Sequence, residues 1–220
     1  MYAFEQAQAR SFDLLNRFCG LLTEGMSAPQ ARSLLENLRS SYGFSGWLNQ
    51  PTVLFQSRKK RIFPKSQVIE KGTLIAIHLQ PTTEDAFGSV GTSFCFEEPD
   101  STLITKAKEL SLATCTFANH FKCVGEIFVF AHSWSINHRF ELADSQKIGH
   151  KCFARKDLPL WPQSAYLSTK LRRNQVQWYN PKKTSGVYAI HPALKEDGRI
   201  ALFGEMISVI DDKKTILGRP

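Results

Sequence analysis

The order of hydrophobic patterns along the chain constrains its fold more than any other feature. Apolar residues recur with a helical period over residues 3–23. Ser27 and Gln30 form a capping box that begins a second predicted helix over residues 28–42. Three strands, two helices and three strands follow, predicted over residues 51–57, 73–80, 89–96, 101–121, 124–137, 187–191, 201–210 and 213–217. This order predicts an α+β fold in which helices pack on one face of a curved, mostly antiparallel sheet.

Length and composition limit the class of protein. With 220 residues, of which 42% are hydrophobic and 22% are charged, the chain can bury a core and does not have the composition of a disordered protein. Its apolar runs are far shorter than the roughly 18 residues that span a bilayer, so no membrane segment is predicted. No linker or repeat divides the chain, which predicts one domain over residues 1–220. Five cysteines without CxxC spacing favour reduced thiols and a cytoplasmic location.

Three groups of segments, in this order, resemble one family of proteins. EGMSAPQARSLL (24–35) is similar to a helix start EGMT-x-x-E, and residues 69–94 are similar to two strands with the patterns x-x-G-D-x-V-x-I-D-x-G and D-V-G/T-x-T-F. The third group resembles a His-Gly-x-Gly loop, a G-x-x-x-x-E-P strand and an E-D-x-x-x-V-T hairpin; it consists of IGHKCF (148–153), SGVYAIHPAL (185–194) and ALFGEMISVIDDKKTILG (201–218). The family is the pita-bread metallopeptidase superfamily, which includes methionine aminopeptidase, aminopeptidase P, prolidase and creatinase. The resemblance implies one pita-bread domain of the catalytic type, without the additional N-terminal domain of prolidase-like members.

The resemblance also implies a metal site, and the sequence departs from it. In the superfamily five ligands, in the order Asp, Asp, His, Glu and Glu, hold two divalent ions. The matching positions here are His78, Ser89, His150, His191 and Glu205, so only the third and the fifth keep the family's residue. One carboxylate and three neutral imidazoles do not balance the charge of two dications, which argues against a dinuclear site. The expected protein is therefore a degenerate metallopeptidase-like pseudoenzyme with a binding or regulatory role and no cofactor.

Two enzymatic interpretations stay open beside this one. His78, His150, His191 and Glu205 form a set of three nitrogen ligands and one carboxylate. A single divalent ion such as zinc accepts such a set, which would make the protein a mononuclear metal hydrolase. Creatinase hydrolyses a C–N bond without metal, and by that resemblance His150 and Glu205 are candidate catalytic residues that act as acid and base. The sequence does not decide whether the protein is an enzyme.

Positive charge is concentrated in the last third of the chain. Residues 1–150 carry 15 basic and 14 acidic side chains, whereas residues 151–220 carry 13 and 6. Within residues 151–183, eight basic and five aromatic side chains are interleaved with one acid, a composition typical of surfaces that bind single-stranded nucleic acid. This segment predicts a peptide, an acidic protein or a nucleic acid as partner, and the candidate contact residues are Lys170, Arg172, Arg173 and Trp178. The alternative is a solvated basic loop with its aromatic side chains, including Trp178, in the core.

Overall fold

The computed structural model of the protein describes residues 1–57, 67–152, 175–211 and 213–218. Within these ranges the helices are α1 (Tyr2–Cys19), α2 (Ala28–Ser41), α3 (Thr102–Phe117) and α4 (Val124–Asn137). A 3-10 turn over Ala118–His120 extends α3. No helix in the described ranges combines the length and the apolar character needed to span a bilayer.

The strands of the described ranges form antiparallel sheets. They are β1 (Gly46–Trp47), β2 (Thr52–Gln56), β3 (Leu74–Leu79), β4 (Pro81–Thr82), β5 (Val90–Cys95), β6 (Glu141–Leu142), β7 (Gly149–Lys151), β8 (Gly186–Ile190), β9 (Ala193–Glu196), β10 (Arg199–Leu202), β11 (Glu205–Ile210) and β12 (Lys213–Ile216). The two larger sheets have the strand orders β2-β3-β5 and β12-β11-β8-β7, and smaller sheets have the orders β10-β9-β6 and β1-β4. Four helices packed on antiparallel sheets confirm the predicted α+β class.

The first helix is shorter than the prediction. It ends at Cys19, whereas the apolar pattern continues to residue 23. Gly20 follows at the helix end, where its low helix propensity favours termination. Leu22 is nevertheless buried, because the turn after the helix still lies against the core. Gly25, with φ of +79°, has left the helical conformation and donates its N–H to the carbonyl of Ile69 at 2.8 Å.

The beginning of α2 is determined by the predicted capping box. The Ser27 N–H donates to Gln30 Oε1 at 2.8 Å, and Ser27 Oγ lies 2.7 Å from the same oxygen. Pro29 is in the first turn, where its missing N–H would have no partner within the helix. Local sequence is therefore sufficient to place this helix boundary.

We expect Ser27→Ala to lower the free energy of unfolding by about 1 kcal/mol, because the change removes a helix N-cap. Urea denaturation measures this difference. Ser33→Ala is the matched control, since Ser33 is an exposed residue in the interior of the same helix. Equal losses from the two substitutions would contradict the role of the cap.

The strands differ from the prediction in three respects. The short strands β1, β6, β7 and β9 were not predicted. The segment after residue 80, predicted as a turn, contains β4, which pairs with β1. The predicted strand over residues 201–210 is divided into β10 and β11. The division occurs because Gly204 exchanges backbone hydrogen bonds of 3.1 and 3.3 Å with Gly91. This exchange also joins β5 of one large sheet to the start of β11 in the other.

Alternation along β3 separates two hydrophobic clusters. Ile75, Ile77 and Leu79 belong to the cluster formed with α1 and α2. Leu74 and Ala76 belong to the cluster formed with α3 and α4. Successive side chains of a strand point to opposite faces, so β3 contributes to the core on both of its sides.

Candidate functional site

The candidate site lies where the two larger sheets meet. Because side chains alternate along a strand, His78 and Gln80 lie on the same face as Leu74 and Ala76. The remaining site residues are near strand ends: Ser89 precedes β5, His150 is in β7, His191 follows β8 and Glu205 begins β11. The fold therefore brings the three histidines together with Gln80 and Ser89, which are far apart in the sequence. Glu205 is paired with Ile190, in the strand row next to that of His150, so its side chain starts from the opposite face of the sheet.

A chain of hydrogen bonds connects the polar groups of the site. His78 Nε2 lies 3.2 Å from Ser89 Oγ, and Gln80 Nε2 lies 3.4 Å from the same hydroxyl. Gln80 Nε2 also lies 2.9 Å from His150 Nε2. Asn49 Nδ2 donates to Gln80 Oε1, which completes the chain. An amide nitrogen can only donate, so His150 Nε2 accepts from Gln80 and carries no proton.

The hydrogen bonds also define the tautomer of His150. Its Nδ1 lies 3.4 Å from the carbonyl oxygen of Lys151, which can only accept. The proton of the neutral ring is therefore on Nδ1, and the lone pair of Nε2 is engaged by Gln80. At His78 the Ser89 hydroxyl can donate to Nε2 in the same way. In this arrangement the Nε2 lone pairs of both rings, which a metal ion would need, are already used.

The side chain of Gln8 holds the backbone of Ser89 in place. Gln8 Nε2 donates to the carbonyl of Ser89 at 2.9 Å, and the Ser89 N–H donates to Gln8 Oε1 at 2.8 Å. Gln8 is fully buried in α1. Sequence reasoning missed Gln8, Gln80 and Asn49. The available signals were a polar residue on the apolar face of α1 and an amide two residues after His78 in the strand.

The ring of His191 lies close to both of the other imidazoles. Its ring centroid is 4.6 Å from that of His78 and 5.8 Å from that of His150. Its backbone N–H donates to the carbonyl of Ile148 at 2.8 Å, which fixes the position of the residue after β8. Its Nε2 is buried and has no hydrogen-bond partner within the described ranges. The three predicted histidines are therefore close neighbours in the structure.

Burial keeps the three imidazoles neutral. It lowers the pKa of His78 from 6.5 to about 4, and repulsion from His150 acts in the same direction. It also lowers the pKa of His150 to about 4, an effect that the hydrogen bond to Lys151 partly offsets. Burial and the two neighbouring imidazoles hold the pKa of His191 well below 6.5. At neutral pH the three rings carry no charge.

The residues present do not fit the dinuclear metal centre that the resemblance implies. Glu205 is the sole carboxylate among the five matched positions, and it lies opposite Ile190 in the ladder between β11 and β8, where it is 95% buried. Two dications need several carboxylates for charge balance. Within the described ranges, no group of three His, Cys, Asp or Glu side chains is arranged to hold a metal ion.

A pocket of about 300 Å³ opens beside the histidines. His78 and His191 lie on one side of it, and Asp144 and Lys147 lie on another. The remaining lining residues are Thr52, Ala143, Ala193 and Leu202. The Asp144 carboxylate accepts hydrogen bonds from the N–H groups of Gln146 and Lys147 at 2.8 and 3.2 Å, which orders the loop that forms this wall. The pocket gives a small ligand access to two of the neutral imidazoles.

The fold is that of known metallopeptidases. X-Pro aminopeptidase from Thermotoga maritima matches with a TM-score of 0.73 and 16% identity over 99% of this chain and 60% of that one. Prolidase from Pyrococcus furiosus matches with a TM-score of 0.74 and 13% identity over 99% and 63%. Methionine aminopeptidase from Thermotoga maritima matches with a TM-score of 0.70 and 15% identity over 99% and 95%.

These matches confirm the predicted pita-bread fold. The chain spans about three fifths of the length of the first two enzymes and nearly all of the third. No protein-family model and no curated protein matches the sequence. The similarity therefore rests on the three-dimensional arrangement and on the ordered sequence patterns.

The predicted basic surface is only partly within the described ranges. Lys170, Arg172 and Arg173 lie outside them. Trp178 lies within them and is 65% exposed, so the alternative interpretation that places this ring in the core is wrong. Trp178 and Tyr179 form a turn between the buried residues Gln177 and Asn180, and the Asn180 N–H donates to the Gln177 carbonyl at 3.1 Å across it.

Proposed function

We propose that the protein is a metallopeptidase-like binding protein in which a neutral hydrogen-bonded network replaces the metal centre. The observation that supports this most is the chain of hydrogen bonds through Gln80 to His150 and Ser89. It uses ring lone pairs that a metal would need. Without a metal to lower the pKa of bound water, the family's hydroxide nucleophile is not formed. The fold would then serve to bind a ligand or to regulate a partner.

The ligand that we propose is a short peptide, by analogy with the peptidases that share the fold. The pocket beside His78 and His191 has a volume of about 300 Å³, which is at the lower end for small-molecule sites. Asp144 and Lys147 provide charges of both signs at its wall, as the two termini of a peptide require. A neutral imidazole can donate a hydrogen bond to a peptide carbonyl or accept one from a peptide N–H.

A mononuclear metal hydrolase is the second candidate, and one observation favours it. The buried Nε2 of His191 has no hydrogen-bond partner within the described ranges, and the rings of His78 and His150 are close to it. One zinc-like ion would need these three rings and Glu205 as ligands, and within the described ranges the side chains are not arranged to hold it. To bind it, Gln80 and Ser89 would have to release the two Nε2 atoms that they now engage.

A metal-free C–N hydrolase is the third candidate. It would use His150 and Glu205, which lie on β7 and β11, the two strands that flank β8. Both side chains are buried. His150 is paired with Ala189 and Glu205 is paired with Ile190, so the two side chains start from opposite faces of this sheet and would have to approach each other for such a reaction. An enzyme of this kind would turn over its substrate in the presence of a chelator.

The test is metal analysis together with peptide hydrolysis, using protein purified without a chelator or a polyhistidine tag. We expect much less than one metal ion per chain, and no hydrolysis of methionyl or X-prolyl peptides when manganese or cobalt is added. We expect peptide binding in calorimetry without these metals. The deficit of negative charge at the five matched positions is the physical reason for expecting neither bound metal nor hydrolysis.

His150→Ala and the exposed change His132→Ala are the matched pair of variants. Turnover that needs metal and is lost in the first variant only would contradict the proposal, because it would show that the altered residues still activate water. One tightly bound ion per chain would favour the mononuclear hydrolase instead. Turnover that persists with a chelator and needs His150 would favour the metal-free hydrolase.

A further inference from the structure

Two adjacent aromatic side chains are displayed on the surface at residues 178 and 179. Trp178 is 65% exposed and Tyr179 is 60% exposed. Their rings pack edge to face with the centroids 5.5 Å apart. Large aromatic side chains gain free energy when they are buried, and a pair that stays exposed is a candidate contact for a partner.

The backbone that carries these rings is held firmly against α4. The N–H groups of Val124 and Gly125, in the first turn of this helix, donate to the carbonyls of Lys182 and Asn180 at 2.8 Å each. Gly125 permits this contact, because a Cβ at this position would lie 2.7 Å from the carbonyl oxygen of Trp178. The two rings are therefore positioned before any ligand binds, which reduces the entropic cost of association.

Three lysines lie on the segment that carries the two rings or on the backbone next to it. Lys182 and Lys183 follow the turn, and Lys122 is beside them because the Thr184 N–H donates to its carbonyl at 3.4 Å. These three lysines are exposed. Lys151 also lies near this surface and adds positive charge to it. Burial lowers the Lys151 pKa, and the nearby positive charge of Lys182 lowers it further.

Among the described residues, Glu126 is an acidic side chain close to these lysines. Its carboxylate accepts a hydrogen bond from the backbone N–H of Lys122 at 2.7 Å. Among the described residues, four positive groups and one negative group give this surface an excess of positive charge. A polyanion is therefore attracted to it.

We propose that the surface formed by Trp178, Tyr179, Lys122, Lys182 and Lys183 binds single-stranded nucleic acid. Unpaired bases stack on the aromatic rings, and the ammonium groups of Lys122 and Lys183 contact the phosphates. A single strand fits better than a duplex, because the faces of paired bases are covered by their neighbours in the stack. An acidic peptide would satisfy the lysines but would leave the two rings without a matching group.

The test is the fluorescence anisotropy of a labelled oligouridylate of about 16 nucleotides, titrated with the full chain at several salt concentrations. We expect Trp178→Ala to weaken binding roughly tenfold with little change in the salt dependence, because stacking is not ionic. We expect Lys183→Gln to reduce the slope of log K against log salt by roughly 0.7, because one phosphate contact is lost. Both side chains are exposed, so thermal unfolding should be unchanged in both variants.

Tyr2→Ala and Lys108→Gln are the controls, since they remove an exposed aromatic ring and an exposed lysine elsewhere. Neither should affect binding. Polyglutamate of similar length is the competitor that represents an acidic protein. Three results would each overturn the proposal. They are displacement of the labelled oligouridylate by polyglutamate as effective as that by unlabelled oligouridylate, equal affinity of Trp178→Ala and the unmodified chain, and no binding at low salt.

Discussion

Lowering the pH from 7 to 4 should bring the protein close to unfolding, and the three imidazoles of the candidate site should cause much of this loss of stability. His78 and His150 each have a pKa of about 4 in the folded protein and an ordinary value of 6.5. Between these values the unfolded chain binds more protons than the folded chain, so stability falls as the pH falls. By pH 4 the loss is on the order of 3 kcal/mol for each ring. His191 adds to it in the same direction.

The size of this effect is comparable with the total stability of many domains, which is about 5–15 kcal/mol. Urea denaturation at half-unit pH intervals measures it. The informative quantity is the slope of the unfolding free energy against pH between 6.5 and 4. His150→Gln should reduce this slope by removing one titrating group, whereas His132→Gln, on the exposed face of α4, should not.

Parallel pH profiles for the unmodified protein and His150→Gln would contradict this explanation. Acidic side chains also titrate near pH 4, so the comparison between the two variants is essential. Nuclear magnetic resonance of the imidazole signals provides an independent measurement. Ring signals of His78 and His150 that titrate near pH 6.5 in the folded protein would show that these rings are not held in the neutral form.

Gly149→Ala should destabilise the protein by about 3 kcal/mol, at the upper end of the range for added atoms in a packed interior. A Cβ at this position would lie 2.2 Å from the carbonyl oxygen of Ala189. That oxygen is part of the backbone of β8, so it cannot move away without disturbing the ladder between β7 and β8. The neighbouring His150 would be displaced from Gln80, and the site would lose its hydrogen-bonded chain.

Gly20→Ala is the matched control for this substitution. A Cβ there would lie 3.5 Å from the carbonyl oxygen of Asn16, and the backbone of Gly20 is already in the right-handed helical region. This change should be neutral or should stabilise by up to about 1 kcal/mol. Urea unfolding of the two variants decides the matter, and equal midpoints for Gly149→Ala and the unmodified protein would show that the strand can accommodate a methyl group.

Local signals were sufficient for several parts of the fold. The capping box at Ser27 places α2, and the apolar run of residues 74–79 places β3. The ends of α1 and of the strand predicted over residues 201–210 were wrong for a common reason. Leu22 is buried by contacts outside its own helix, and Gly204 is held by Gly91, which is far away in the sequence. Contacts of this kind leave no local signal.

The candidate site, like the fold, was predictable from the sequence only in part. The three histidines and Glu205 were identified from the order and spacing of sequence patterns, and the structure brings the three rings together. Their hydrogen-bond partners were not identified. Gln80 and His150 are 70 residues apart, and Gln8 and Ser89 are 81 residues apart. An amide in a strand or on a helix has many local explanations, so neither glutamine indicates its partner.

The sequence by itself determined the order of the helices and of the longer strands, the pita-bread pattern and the loss of carboxylates from the matched positions. These depend on residue type and spacing, which need no coordinates. Only the tertiary structure decided that the Nε2 atoms of His78 and His150 are engaged by neutral partners and that Trp178 is exposed. The physical reason is that burial and hydrogen bonding are set by groups from distant strands and helices. Their approach follows from the packing of the whole chain.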